Sequence, residues 1–131
     1  MKDKSKKQIK ELTKAEEQVM RILWKLKESM VKDIIDEMLD PKPAYNTVST
    51  VIRVLETKGF VDHKAYGGSY VYFPLIQERE YKSFAFDKIF SNYFDNSYER
   101  LVSFLVNEKK LDVSELEALT RMVDQLKDKK P

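Results

Sequence analysis

Residues 44 to 75 constrain this chain more than any other stretch. They read Ala-Tyr-Asn-Thr-Val-Ser-Thr-Val-Ile-Arg-Val-Leu-Glu-Thr-Lys-Gly-Phe-Val-Asp-His-Lys-Ala-Tyr-Gly-Gly-Ser-Tyr-Val-Tyr-Phe-Pro-Leu. Val48, Val51, Ile52 and Leu55 fall in one arc at about 100° per residue, and Ala44 joins them. This predicts a helix from about Ala44 to Lys58, capped by Gly59. Phe60 to Tyr66 and Ser69 to Pro74 are rich in aromatic and β-branched residues and flank Gly67-Gly68, which predicts a hairpin. A helix that feeds straight into a hairpin is the layout of a winged helix-turn-helix.

The opposite face of that helix carries Asn46, Ser49, Thr50 and Arg53. It is short, polar and free of acid, whereas ordinary solvent faces are rich in Glu and Lys. Asn can pair with adenine, Arg with guanine, and Ser or Thr with either, so these four are candidate base contacts. Thr47, at the edge of the face, and Tyr45, at the helix start, are placed for backbone phosphates. Lys42, Lys58, Lys64, Tyr66 and Tyr70 are further backbone candidates from the approach loop, the helix end and the wing.

Upstream, Thr13 with Glu16 spells a capping box. Val19, Ile22, Leu23 and Leu26 then give a helix to about Lys27, with Trp24 as a core anchor and Leu12 as a staple. Ser29-Met30-Val31 can supply a minor third strand. Val31, Ile34, Ile35, Met38 and Leu39 mark a second helix, which Asp40-Pro41-Lys42-Pro43 ends. Downstream of Pro74, Tyr81, Phe84, Ala85, Ile89, Phe90, Tyr93 and Phe94 form an aromatic helical stripe. Leu101, Val102, Phe104, Leu105 and Val106 mark a fifth helix. Asp112 and Glu115 cap a sixth, which carries Leu116, Leu119, Val123 and Leu126.

Three helices this short and apolar need a partner surface. The simplest is the same segment of a second chain, through Phe84, Ile89, Phe90, Phe94, Leu101, Leu105, Leu116, Leu119, Val123 and Leu126. Packing back on the winged helix within a monomer is the alternative. The expected organisation is a charged N-terminus over residues 1–11, a winged-helix DNA-binding domain over 12–75 and a helical dimerisation domain over 76–131. The fold class is mainly α with a small β-wing.

Composition removes other classes. Among 131 residues there is no cysteine, so disulfides and thiolate metal sites are excluded. The single histidine, His63, cannot build a multi-histidine site, and no metal or cofactor is expected. On a wing strand it reads as an exposed or hydrogen-bonding residue rather than a pH switch. No nucleophile–base pair or phosphate-binding glycine loop is spelled out, so no enzyme is expected. With a Lys-rich start and no long apolar run, the expected location is the cytoplasm. The net charge is only +2. Residues 1–75 hold 14 Lys and Arg against 11 Asp and Glu, so the basic excess lies with the helix and hairpin. A charge this small leaves a second class open, a winged-helix protein-interaction module without specific DNA binding.

From Leu12 to Leu126 the chain resembles the penicillinase-repressor family of bacterial regulators (the BlaI/MecI/CopY type). The resemblance is carried by Leu12-Thr13-Lys14-Ala15-Glu16, Val19-Met20 and Leu23-Trp24. Tyr45-Asn46-Thr47-Val48, Thr50-Val51, Leu55-Glu56-Thr57-Lys58-Gly59 and Tyr70-Val71-Tyr72 continue it, followed by Phe94-Asp95-Asn96-Ser97 and Leu101-Val102-Ser103-Phe104-Leu105. It implies a homodimeric repressor of resistance-type genes that reads a palindromic operator through the third helix. It also implies induction by a membrane sensor protease that cuts the C-terminal region. The matching bond is Ser103–Phe104, with serine where the antibiotic-responsive members have asparagine. The cysteine-rich metal motif of the copper-responsive branch is absent.

Overall fold

The computed structural model describes residues 8–129, with side chains described up to residue 125. The elements run α1 (Lys14–Leu26), α2 (Val31–Asp36), α3 (Tyr45–Thr57), β1 (Val61–Tyr66), β2 (Ser69–Pro74), α4 (Glu78–Phe94), α5 (Tyr98–Asn107) and α6 (Val113–Lys129). They form two compact units, one up to Ala85 and one from Phe86 onward. The break falls inside α4, ten residues beyond the boundary expected from sequence. Among the described residues no helix is long and apolar enough to cross a membrane.

In the first unit the local signals work as spelled. The Thr13 hydroxyl accepts the Glu16 N–H at 3.2 Å, and Glu16 Oε1 accepts the Thr13 N–H at 2.9 Å, closing the capping box. α3 ends in a Schellman motif: the Phe60 N–H donates to the Leu55 carbonyl and the Gly59 N–H to the Glu56 carbonyl. Gly59 sits at φ +85°, the left-handed region this cap requires. β1 and β2 pair antiparallel from Val61↔Pro74 to Tyr66↔Ser69. Gly67 and Gly68 both have positive φ, as a two-residue type I′ hairpin demands. The minor third strand is a single bridge, in which Ser29 and Tyr72 exchange both backbone hydrogen bonds.

The core forms where α1, α2, α3 and the root of the wing meet. Val19, Met20 and Leu23 of α1 pack with Val31 and Ile34 of α2, Val48, Ile52 and Leu55 of α3, and Phe60, Val61 and Tyr72. Leu12 is half-buried against this core, and its N–H donates to the Tyr81 hydroxyl at 3.0 Å. Trp24 donates from Nε1 to the Ile76 carbonyl at 2.8 Å, satisfying its one polar atom at the core edge. The Tyr81 ring packs edge-on to Phe60.

Four expectations change. Leu39 is 86% exposed, because α2 stops at Asp36 and the chain turns before Leu39 can face inward. Ala44 is exposed as the α3 N-cap, and Val51 is only half-buried. Phe84, expected in a dimer contact, packs with Ala85 against the winged-helix core instead. The first turns of α4 therefore complete the first unit.

The second unit holds the rest of α4 with α5 and α6. Ser97 caps α5 by accepting the Arg100 N–H at 3.2 Å. Asp112 and Glu115 form the reciprocal box expected before α6, at 2.9 and 2.8 Å. Rings pair locally: Phe90 with Tyr98 and Phe94 with Phe104. Among its described side chains only Phe90 is buried. Phe94, Leu101, Leu105 and Leu116 are half-buried, and Ile89, Phe104, Leu119 and Val123 are exposed. Leu126 lies outside the residues whose side chains are described.

Candidate nucleic-acid interface

α3 owes its orientation to its apolar side. With Val48, Ile52 and Leu55 buried, the opposite arc must face outward. Asn46, Thr50 and Arg53 are exposed on that arc. Among the described residues Arg53 forms no ion pair. The Thr50 hydroxyl donates to the Asn46 carbonyl at 2.8 Å. This back-bond leaves the oxygen as an acceptor and the methyl group free, which suits an amino group or a thymine methyl on a base edge.

Ser49 departs from the expected face. It is 8% exposed and lies toward the wing rather than outward. It lines a cavity of about 470 Å³ between α2, α3 and the hairpin, together with Lys32, Tyr45, Arg53, Ser69 and Tyr70. The folded wing covers that side of the helix, so Ser49 sits in a cleft wall.

The backbone candidates divide. Thr47, Tyr45, Tyr66 and Tyr70 are exposed. Tyr70 and Tyr72 share one face of the hairpin, being two residues apart; Tyr72, nearer the root, is buried and Tyr70 is exposed. Lys64 is exposed and loosely paired with Glu28 at 3.3 Å. Two lysines are occupied elsewhere. Lys42 Nζ donates to the Met38 carbonyl at 2.6 Å and closes the loop between α2 and α3. Lys58 Nζ meets Glu16 Oε1 at 2.6 Å, with side chains 23% and 8% exposed, and ties α3 to α1. Lys58 is thus a structural cation, because α1 packs over the end of α3 and brings a carboxylate to it.

Sequence reasoning passed over two residues at this surface. Lys32 reaches the cavity from α2, and no sequence spacing signals that approach. Val54 is 39% exposed and stands about 80° around the helix from Asn46. Helical periodicity puts it on the flank of the outward arc, where an exposed apolar side chain can meet a thymine methyl.

α3 has no acid in its first turn and no side-chain N-cap; the Thr47 N–H donates to the Ala44 carbonyl at 3.1 Å, and the N–H groups of Tyr45 and Asn46 stay open among the described residues. They carry the positive end of the helix dipole, which favours a phosphate. Its one acid, Glu56, faces the wing and sits 2.8 Å from His63 Nδ1. His63 is therefore the hydrogen-bonding residue expected from sequence. Burial, with the Glu56 charge added, pushes the Tyr72 hydroxyl above its usual pKa, so it stays a neutral hydrogen-bonding group.

The family described as penicillinase repressor matches residues 12–125. The methicillin resistance regulatory protein MecI of Staphylococcus aureus strain N315 is 28% identical over 116 residues, covering 88% of this chain and 94% of that protein. The penicillinase repressor of Bacillus licheniformis is 23% identical over 125 residues, covering 95% of this chain and 98% of that protein. The solution structure of the DNA-binding domain of the repressor BlaI is 30% identical, with a TM-score of 0.50 over 58% of this chain and 94% of that domain. The match spans the winged helix and continues through the C-terminal helices, and the order of capped helix, turn, outward polar helix and glycine-turned wing agrees with it. The chain belongs to the penicillinase repressor family.

Proposed function

We propose that this protein is a homodimeric, sequence-specific DNA-binding repressor that reads a palindromic operator of a resistance-type operon through α3. One observation carries the reading: Asn46, Thr50 and Arg53 stand outward on one arc, with the Arg53 guanidinium free of any ion pair among the described residues. Backbone phosphates are met by the α3 N-terminus, by Tyr45 and Thr47, and from the wing by Lys64, Tyr66 and Tyr70. The exposed Ile89, Phe104, Leu119 and Val123 support pairing of the second unit with its copy. Two winged helices on one twofold axis would then read half-sites a multiple of about 10 base pairs apart.

Proteolytic relief belongs to the same reading. Ser103 and Phe104 are both exposed within α5, so a protease must first unwind that helix. Mass spectrometry of the intact chain after induction of the host tests this step, with a fragment ending at Ser103 expected; a chain that stays whole speaks against it.

Footprinting on the region upstream of the protein's own gene tests the main proposal. A protected, roughly twofold-symmetric stretch is expected, fading steeply as salt rises because phosphate contacts release counterions. Uniform or absent protection at moderate salt contradicts it.

A further inference from the structure

Glu56, Asp62 and His63 converge where α3 ends and β1 begins, away from the outward arc. Glu56 Oε2 lies 2.8 Å from His63 Nδ1, and one ligand atom from each residue lies within 4.8 Å of the other two. Neighbours on a strand normally point to opposite faces. Here Asp62 Oδ1 accepts the His63 N–H at 2.7 Å, which folds the carboxylate back toward the imidazole. The Tyr70 and Tyr72 rings stand 4.4 and 5.5 Å from the imidazole and hold its plane. The Glu56 and His63 side chains are 31% and 33% exposed, so solvent reaches the cluster. Among the described residues neither carboxylate pairs with a lysine or arginine; nearby Lys64 is engaged with Glu28.

We propose that Glu56, Asp62 and His63 bind a divalent first-row transition-metal ion of the zinc class. Two carboxylates cancel its charge, and one imidazole nitrogen favours it over magnesium or calcium, which prefer oxygen alone. Metal–ligand distances of about 2.0–2.2 Å require donor atoms roughly 3–3.5 Å apart, a spacing the Glu56–His63 pair nearly has. Asp62, within 4.8 Å of the other two ligand atoms, would have to turn inward to close that spacing, and His63 offers the Nδ1 lone pair when its proton sits on Nε2. Water completes the shell. The sequence gives only the neighbours Asp62 and His63; the third ligand comes from another element.

The bound ion would pin the wing to α3 and neutralise the one acid of that helix. The DNA-binding form is thereby favoured, a consequence that rests on the function proposed above, whereas the site itself does not. Titration of the full chain with Co2+, followed by visible absorption, and with Zn2+, followed by calorimetry, tests the site. One ion per chain is expected, weakened at least about tenfold by His63→Ala and by Asp62→Asn, with circular dichroism unchanged. No stoichiometric uptake by the wild type, or equal uptake by both variants, overturns it. Binding of the upstream duplex with Zn2+ or with chelator then tests the coupling. Tighter binding with Zn2+ in the wild type, but not in Asp62→Asn, is expected. Metal uptake with unchanged DNA affinity overturns the coupling and leaves the site standing. Absence of DNA binding under both conditions counts against the proposed function, not the metal.

Discussion

At Glu16 one carboxylate oxygen serves two partners, the Thr13 N–H at 2.9 Å and the Lys58 ammonium at 2.6 Å. Burial alone would raise its pKa, but the hydrogen bonds from Lys58 and Thr13 outweigh it and hold the carboxyl below its usual 4.5. A depressed carboxyl stabilises the fold above that usual value and loses its contribution as pH falls through the folded-state value. Glu16→Gln should therefore cost about 1.5–3 kcal/mol at neutral pH and flatten the loss of stability in acid. Urea unfolding at neutral pH and below about pH 4.5 checks both, and a parallel shift of the two pH curves would contradict the linkage. The same pair shows where residue roles escaped the sequence. Thr13 and Glu16 announce a cap by local spacing, but Lys58 gains its partner only when α1 packs over α3. The outward exposure of Asn46, Thr50 and Arg53 was legible because periodicity fixes their arc. Ser49 was not, because nothing local says that the hairpin will cover its side.

Among the elements, α3 and the wing are the most plainly written, since each is ended by a glycine that the geometry requires. At Gly59 an added Cβ meets no atom within 4 Å, so Gly59→Ala pays only for a left-handed backbone. We expect a loss of about 1–2 kcal/mol with an unchanged denaturant slope. A loss much larger than that would mean that Phe60, fully buried just beyond the cap, has left its place. α2 was legible in type but not in extent. Its apolar spacing ran on through Leu39, whereas the helix stops at Asp36. α4 was legible as one helix, yet its first turns serve the winged-helix core through Tyr81 and Phe84. A continuous aromatic stripe carries no mark of where it changes partners.

For the whole molecule, the contrast is between a first unit with a dense core and a second unit whose described side chains bury only Phe90. An apolar surface of this kind on a small helical unit is stable when covered. Phe104→Glu and Leu119→Glu should each halve the sedimenting mass and weaken binding to a palindromic duplex far more than to a single half-site. An unchanged mass in both variants would contradict dimerisation through these helices. In such a dimer the modest net charge would cease to be a difficulty, because two copies would double the phosphate contacts without any one copy being strongly basic. The most direct measurement is selection of bound duplexes from a random pool by the wild type, Arg53→Ala and Lys64→Ala. Wild type should recover one palindromic motif, Lys64→Ala the same motif more weakly, and Arg53→Ala a motif relaxed at its contacted base pair, worth about 1–3 kcal/mol. Recovery of no motif, or of an identical motif at equal strength by all three proteins, would contradict sequence reading by the outward face of α3.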